Sequence, residues 1–201
     1  MDRIVLRSML KWPNVPAVYG WLRLDRRGQW WIKSGLIKTV AGGFERIANP
    51  ALADFIGRNY AADAEGRWYF QNGPQRVFVA LDYTPWVYRL DDEGEAFVAH
   101  TGARPLELRA AFLDDAGMLL LQTELGIGVL LDRDLQFVIE HMTDEQGRSA
   151  EQVAQAIMQG TETRARLLGR TVETAPIRAA EVPGRFGFDP RPTPRPGEPE
   201  C

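Results

Sequence analysis

Short apolar and aromatic runs alternate with acidic turns along much of the chain. The tetrapeptide Asp-x-x-Gly separates these runs in the four copies that begin at Asp25, Asp63, Asp91 and Asp114, whereas the copy at Asp144 lies within a helical pattern and predicts a loop. An Asp at the first turn position accepts a backbone N–H two residues on, and a Gly at the fourth adopts the left-handed conformation that closes a type I turn with a bulge. The pattern therefore predicts a succession of β-hairpins.

The apolar runs predict strands at residues 17–24, 29–33, 67–71, 76–82, 86–90, 95–99, 108–113, 118–123 and 126–131. Several alternate with a period of two, as Trp86, Tyr88 and Leu90 do, which is typical of a strand. Asn72-Gly73 adds a two-residue hairpin signal. The predicted fold is α+β and predominantly antiparallel β, a hairpin meander that forms a barrel or a sandwich.

Three helices complete this α+β fold, a short one after the first hairpin and two toward the C-terminus. Asn49-Pro50 opens the first, because Asn caps a helix and Pro suits its first turn. The second covers roughly residues 133–142, where a strand is the alternative. The third begins at Ser149, which forms a capping box with Gln152, and its apolar stripe runs to Leu168.

Proline becomes frequent near the C-terminus, mixed with Arg and Glu. Such a segment buries too little apolar surface to offset its ordering entropy, so residues 173–201 are predicted to be a disordered tail. The alternative is that Phe186 and Phe188 dock on a partner or back on the chain. The predicted organisation is a β-rich domain at 1–147, a helix at 148–172 and the tail.

Composition excludes several classes of protein. The 24 basic and 27 acidic residues give a net charge of −3, which argues against nucleic acid or an anionic membrane as partner. The single cysteine, Cys201, supports neither a disulfide framework nor a zinc site. The N-terminal residues make a poor signal peptide, and no apolar stretch is long enough to span a membrane. We expect a cytoplasmic protein.

Motifs for catalysis, metals and cofactors fail their spacing tests. No serine lies in a G-x-S-x-G elbow, and Gly126-Ile-Gly128 lacks the third glycine of a dinucleotide loop, so it predicts a closely packed buried strand. His100 and His141 have no neighbours at triad or ligand spacing, which predicts structural or surface roles. We expect no metal and no cofactor.

Aromatic and arginine side chains concentrate in residues 58–90. Both types bury a large area while keeping a polar group, which is typical of binding surfaces. The main hypothesis is a non-catalytic binding or interaction module that holds an unidentified protein or a small ligand on an open sheet face. Its predicted centre is Trp68, Tyr69, Arg76, Tyr83 and Trp86. The alternative is that alternate aromatics face the core.

Two runs in this region, RNYAADAEGRWYFQNGPQRVFV at 58–79 and DYTPWVYRL at 82–90, resemble a family of hypothetical proteobacterial proteins. The similarity covers about residues 12–140. The resemblance implies a bacterial protein of an uncharacterised family. It implies no activity and no site residues.

Two further hypotheses stay open. The first is a carboxylate-based enzyme with its site in a barrel mouth, since paired carboxylates need only converge in space. Its candidate acids are Asp63, Asp82 and Glu124, with Tyr83 and Arg76 as orienting groups. The second is a homo-oligomer that pairs through the third helix.

Overall fold

The computed structural model describes residues 1–34, 43–144, 146–161 and 163–198. The fold is α+β and mostly β, as predicted, with two mixed sheets and five short helices among these residues. It divides into two compact units, Met1–Pro85 with Gly187–Cys201, and Trp86–Phe186. Each unit contains one of the two sheets.

The first unit contains a six-stranded sheet and two helices. Its strands are β1 (Val18–Leu24), β2 (Trp30–Lys33), β3 (Phe44–Arg46), β4 (Tyr60–Ala62), β5 (Trp68–Asn72) and β6 (Gln75–Leu81), and its helices are α1 (Arg3–Lys11) and α2 (Pro50–Arg58). The order across the sheet is β3-β2-β1-β6-β5-β4. The central pair, β1 and β6, is parallel, and the other neighbours are antiparallel.

The second unit contains an eight-stranded sheet. Its strands are β7 (Trp86–Leu90), β8 (Phe97–Ala99), β9 (Leu108–Asp114), β10 (Leu119–Thr123), β11 (Ile127–Leu130), β12 (Thr143–Asp144), β13 (Thr163–Leu167) and β14 (Arg170–Ile177), and its helices are α3 (Asp132–Glu140), α4 (Ala150–Met158) and α5 (Val182–Phe186). The order is β12-β13-β14-β9-β10-β11-β7-β8. The pairs β7–β11 and β9–β14 are parallel.

The four Asp-x-x-Gly turns all close hairpins between consecutive strands, as predicted. Their glycines have φ between +72° and +79°. In the last copy, one carboxylate oxygen of Asp114 accepts the N–H groups of Ala116 and Met118 at 2.9 and 2.8 Å. Asn72 pairs with Gln75, so the loop of that hairpin is Gly73-Pro74.

The predicted closure into a barrel is not found among the described residues, since each sheet ends in two edge strands. All nine predicted strands are present, and the structure adds β3, β4, β12, β13 and β14. A meander pairs each strand with the next one along the chain. Here the parallel pairs β1–β6, β9–β14 and β7–β11 join strands that are distant in sequence, so neither sheet is a simple meander.

The third predicted helix is shorter than expected. Its capping box at Ser149 is present, but α4 ends at Met158, and Gly160 follows with φ +84°. Beyond it the pattern has a period of two, because Ala165 and Leu167 are buried while their neighbours are not. Residues 163–177 therefore form the β13–β14 hairpin in place of a helix that continues to Leu168.

The described part of the predicted tail is also structured. Residues 170–177 form β14, and residues 187–198 belong to the first unit. There Asp189 N donates to Gly66 O at 3.0 Å, and Leu81 N donates to Pro190 O at 2.9 Å. Phe188 is buried in the first unit. Backbone hydrogen bonds and one buried aromatic ring therefore anchor a segment whose composition alone predicts disorder.

Candidate functional site

A groove with a volume of about 600 Å³ lies in the first unit. The residues after α1 form one side, and side chains of β1, β5 and β6 form the other. We call it the Arg67 groove, after the guanidinium that lies in its wall. Its lining is apolar at Trp12 and Phe78 and polar at Tyr19, so it offers both kinds of contact to a ligand.

Arg67 is held in place by the turn that precedes β5. The side chain is only 9% exposed, and its guanidinium lies over the ring of Phe78 at 4.6 Å. Its Nε donates to Asp63 Oδ2 at 2.8 Å, within the Asp-x-x-Gly turn. Nη1 and Nη2 donate to the two carboxylate oxygens of Glu198 at 3.1 and 3.2 Å. The hydrogen bonds to Glu198, followed by those to Asp63, raise the pKa of Arg67.

Tyr19 completes the contacts of this carboxylate. Its hydroxyl donates to Glu198 Oε2 at 2.7 Å and accepts a hydrogen bond from Arg67 Nη1 at 3.3 Å. The parallel pairing of β1 with β6 places its ring in a stack on Phe78, with 4.5 Å between centroids. Burial, followed by the hydrogen bond to Glu198, raises the pKa of Tyr19 to about 12. The hydroxyl is therefore a neutral donor near neutral pH.

Glu198 brings a carboxylate into the groove from the C-terminal segment. The hydrogen bonds from Arg67, from the Arg195 N–H and from Tyr19 lower its pKa to about 2. Arg195 also forms an ion pair with Glu65. The side chain of Glu198 stays 31% exposed. The groove therefore binds an ionised carboxylate at its edge, and in this structure that carboxylate belongs to the chain itself.

Gln71 and Arg76 add polar groups to the lining of the groove. Gln71 is 1% exposed, and its Nε2 donates to Gly73 O at 2.9 Å. Its Oε1 has no hydrogen-bond partner among the residues that the structure describes. Arg76 lies over the ring of Tyr69 at 4.7 Å, which leaves its charge beside the groove.

The five residues of the predicted binding face are not together on one open surface. Arg76 lines the Arg67 groove, and Tyr69 lies beneath it, buried against Phe78. Trp68 is half-buried and packs against Tyr60 with 4.7 Å between centroids.

The other two predicted aromatics are buried. Tyr83 lies under the guanidinium of Arg26 at 5.0 Å. Trp86 belongs to the second unit, where it packs on His100 with 5.7 Å between ring centroids. The alternative interpretation, in which alternate aromatics face the core, therefore describes Tyr69, Tyr83 and Trp86.

The three candidate acids of the enzyme hypothesis have separate partners. Asp63 binds Arg67, and Asp82 forms an ion pair with Arg23 at 3.2 Å. In the second unit, Glu124 accepts the backbone N–H groups of residues 106 and 107 at 2.6 and 3.0 Å. Of these acids, the lining of the Arg67 groove includes none. Within the described residues, no three His, Cys, Asp or Glu side chains gather as a metal site.

Sequence reasoning missed Tyr19, Arg67 and Glu198 as a group. Arg67 lies in the aromatic and arginine-rich segment, so the composition did point to its neighbourhood. Its partners are 48 and 131 residues away along the chain, and no local pattern connects them.

These features define an α+β protein with two open mixed sheets and a groove in its first unit. The model of the family DUF2944, described as "Protein of unknown function (DUF2946)", matches residues 1–193, and the chain belongs to this family. The match confirms an uncharacterised family and extends beyond the expected residues 12–140 at both ends.

One similar solved structure is a DUF1285 family protein from Silicibacter pomeroyi DSS-3. It is 16% identical, the alignment covers 79% of this chain and 82% of that one, and the TM-score is 0.50, which supports the fold alone. No curated protein matches the chain significantly. None of the described helices has the length and apolar character needed to cross a bilayer.

Proposed function

We propose that this protein is a non-catalytic binding module whose site is the Arg67 groove. One observation carries the proposal: a cavity of about 600 Å³ combines apolar walls with a buried guanidinium. Small-molecule sites are commonly about 300–1,000 Å³ in volume and are mostly apolar, with a few polar groups that orient the ligand. The groove fits this description, so its ligand is a small molecule with an apolar body.

The aromatic and arginine-rich segment supports this function from a different position than the sequence predicts. It supplies Arg67, Gln71, Arg76 and Phe78 to the groove. The proposal therefore keeps the predicted role of residues 58–90 and moves its centre from an open sheet face to the Arg67 groove.

Trp12 is the side chain through which the proposal is tested. It lines the groove and is 51% exposed, so a bound apolar chain covers its ring. We expect Trp12→Ala to weaken binding of octan-1-ol about tenfold, because covering an aromatic ring contributes roughly 1–2 kcal/mol. The measurement is an NMR titration of the full chain.

Trp21 provides the matched control. It belongs to β1 of the same unit and is 44% exposed, but it does not line the groove. Trp21→Ala leaves the affinity unchanged. If octan-1-ol and its carboxylate analogue octanoate both fail to shift any signal from the groove, even when Glu198 is replaced by Ala, the proposed function is wrong.

Two expectations from the sequence stay predictions. The first is self-association through the third predicted helix, which is α4. Its Val153 and Ile157 are buried, and its Met158 is exposed. Sedimentation of the full chain as a function of concentration measures it. A cytoplasmic location is the other.

A further inference from the structure

We infer that the ligand of the Arg67 groove carries a carboxylate, and that Glu198 occupies the place of that carboxylate in the unliganded chain. The inference rests on the proposed function and names the chemical class of its ligand. The structure already contains the relevant interaction, since Arg67 and Tyr19 hold the Glu198 carboxylate with three hydrogen bonds.

The donors form a site shaped for a planar carboxylate. The two Nη atoms of Arg67 reach one oxygen each, at 3.1 and 3.2 Å, which is the bidentate geometry that guanidinium groups form with carboxylates. Asp63 holds the Nε from the opposite side, and Phe78 supports the guanidinium plane. These contacts do not depend on Glu198, so the donors stay oriented when the carboxylate is exchanged.

The charges of the groove also favour an anion. Its charged lining residues are Arg67, Arg76 and Glu198. When Glu198 leaves, two guanidinium groups face the groove without it. Asp63 still pairs with the Nε of Arg67, but the two Nη atoms lose their acceptors, and buried donors without partners are costly. A ligand that displaces Glu198 is therefore favoured if it supplies acceptor oxygens and negative charge at the same position.

Glu198 is placed where exchange is feasible. Backbone hydrogen bonds at Asp189 and Pro190 anchor the C-terminal segment eight or more residues before Glu198. Nearer to Glu198, the ion pair of Arg195 with Glu65 joins two exposed side chains. The carboxylate can therefore leave the groove while the anchored part stays. The match to the family ends at residue 193, so it includes Tyr19 and Arg67 but not Glu198.

The rest of the groove indicates the body of the ligand. Beside the carboxylate, most of the lining is apolar and includes Trp12, Val15, Pro16 and Phe78, with Gln71 among its polar members. A monocarboxylate with an aliphatic or aromatic body fits the groove, since its carboxylate binds Arg67 and its body covers the apolar part of the lining. Octanoate is a suitable probe, and octan-1-ol has the same body without the charge.

The test compares both probes on the full chain, with and without the Glu198 side chain. Glu198→Ala removes the internal competitor, so octanoate binds about tenfold more tightly if Glu198 occupies the site in roughly nine of ten molecules. Octan-1-ol gains no such advantage. Glu93→Ala is the matched control, because it removes an exposed carboxylate from a turn of the second unit. It leaves both affinities unchanged.

A second variant tests the donors without removing a buried charge. In the Glu198→Ala chain, Tyr19→Phe deletes one hydroxyl and keeps the stack on Phe78. We expect octanoate to bind roughly tenfold more weakly and octan-1-ol to bind as before, since only octanoate loses a charge-assisted hydrogen bond.

The outcomes separate the two proposals. If both probes bind equally and neither Glu198→Ala nor Tyr19→Phe changes their ratio, the groove is a binding site but the carboxylate inference is wrong. If inorganic phosphate displaces octanoate at lower concentration than acetate does, the anion class is phosphate and the inference is overturned. If neither probe binds to any of these chains, the proposed function is wrong as well.

Discussion

Gly66 shows how one residue connects a turn to a distant segment. It is the last residue of the Asp63 turn, with φ +75°. A Cβ atom at this position would lie 2.0 Å from Gly187 O and 2.8 Å from Phe188 Cα. The absence of a side chain thus serves both the turn and the close approach of the C-terminal segment, whose Asp189 N–H binds Gly66 O.

We predict that Gly66→Ala detaches the C-terminal segment as well as straining the turn. Gly117→Ala is the matched control, since Gly117 ends the same kind of turn with φ +79° and has open space around it. Both variants lose about 1–2 kcal/mol through the left-handed conformation. Gly66→Ala loses roughly 1–3 kcal/mol more through the steric clash. Denaturant unfolding measures the difference, and equal losses would contradict the contact.

The His100 side chain makes the stability of the folded chain depend on pH. Burial lowers its pKa to about 3, and the neutral ring accepts the Val87 N–H at Nδ1. The unfolded chain binds a proton near pH 6.5, so the folded state loses stability as the pH falls from about 6.5 toward about 3. Near pH 4 the loss is roughly 3 kcal/mol.

We predict that His100→Gln removes this part of the acid sensitivity. The stability of the variant falls less steeply than that of the wild type between pH 6.5 and pH 4. His141→Gln is the control, because His141 is exposed just after the end of α3. Unfolding free energies measured over this pH range decide the matter, and parallel curves for the wild type and His100→Gln would refute the role of burial.

The residues of the groove were predictable only in part. Arg76 and Tyr69 follow from composition, because aromatic and arginine side chains cluster in residues 58–90. Gly128 was also predicted as a site of close packing, and a Cβ there would lie 2.5 Å from the Tyr88 ring. The Arg67–Glu198 pair depends on the path of the chain between them, which no local pattern encodes.

At the scale of elements, local turns are predictable and parallel pairs are not. Every Asp-x-x-Gly hairpin forms, because the turn chemistry acts within four residues. β1 and β6 pair although α2 and several strands separate them, and β14 pairs with β9. These pairs depend on which strands can share a buried face. The sequence therefore predicts the hairpins but not the order of strands in either sheet.

The cap of α4 is the element on which sequence and structure agree in most detail. The Ser149 side chain accepts the Gln152 N–H at 3.3 Å, and the Gln152 side chain accepts the Ser149 N–H at 3.0 Å. We predict that Ser149→Ala lowers the stability of this helix by about 1 kcal/mol, while Ser149→Asp keeps it. Amide hydrogen exchange in α4 measures the change. Unaltered exchange in Ser149→Ala would show that packing alone holds the helix.

At the scale of the molecule, the C-terminal segment is the part that composition misjudges most. Proline and charge predict disorder, yet the described residues of the segment pair with the Asp63 turn and with β6. The physical reason is that its anchors are few and specific: one buried ring at Phe188, two backbone hydrogen bonds and the Glu198 carboxylate. A prediction from average composition does not include such individual contacts.

Acid should release the end of this segment. The pKa of Glu198 is about 2 in the groove and near 4.5 in an unfolded chain, so its contribution is present above about pH 4.5 and is lost as the pH falls toward 2. The Arg195 N–H, which donates to Glu198 Oε2 at 3.0 Å, reports the change. Its NMR signal shifts over this pH range in the wild type. The same shift in Glu198→Ala would contradict the assignment.

The most direct test of the Arg67 groove is a crystal structure of the full chain grown with octanoate. We predict that the octanoate carboxylate lies on Nη1 and Nη2 of Arg67 and on the Tyr19 hydroxyl, that its chain covers Trp12, and that the Glu198 side chain has left. Octanoate bound elsewhere, with Glu198 still paired to Arg67, would contradict the central claim.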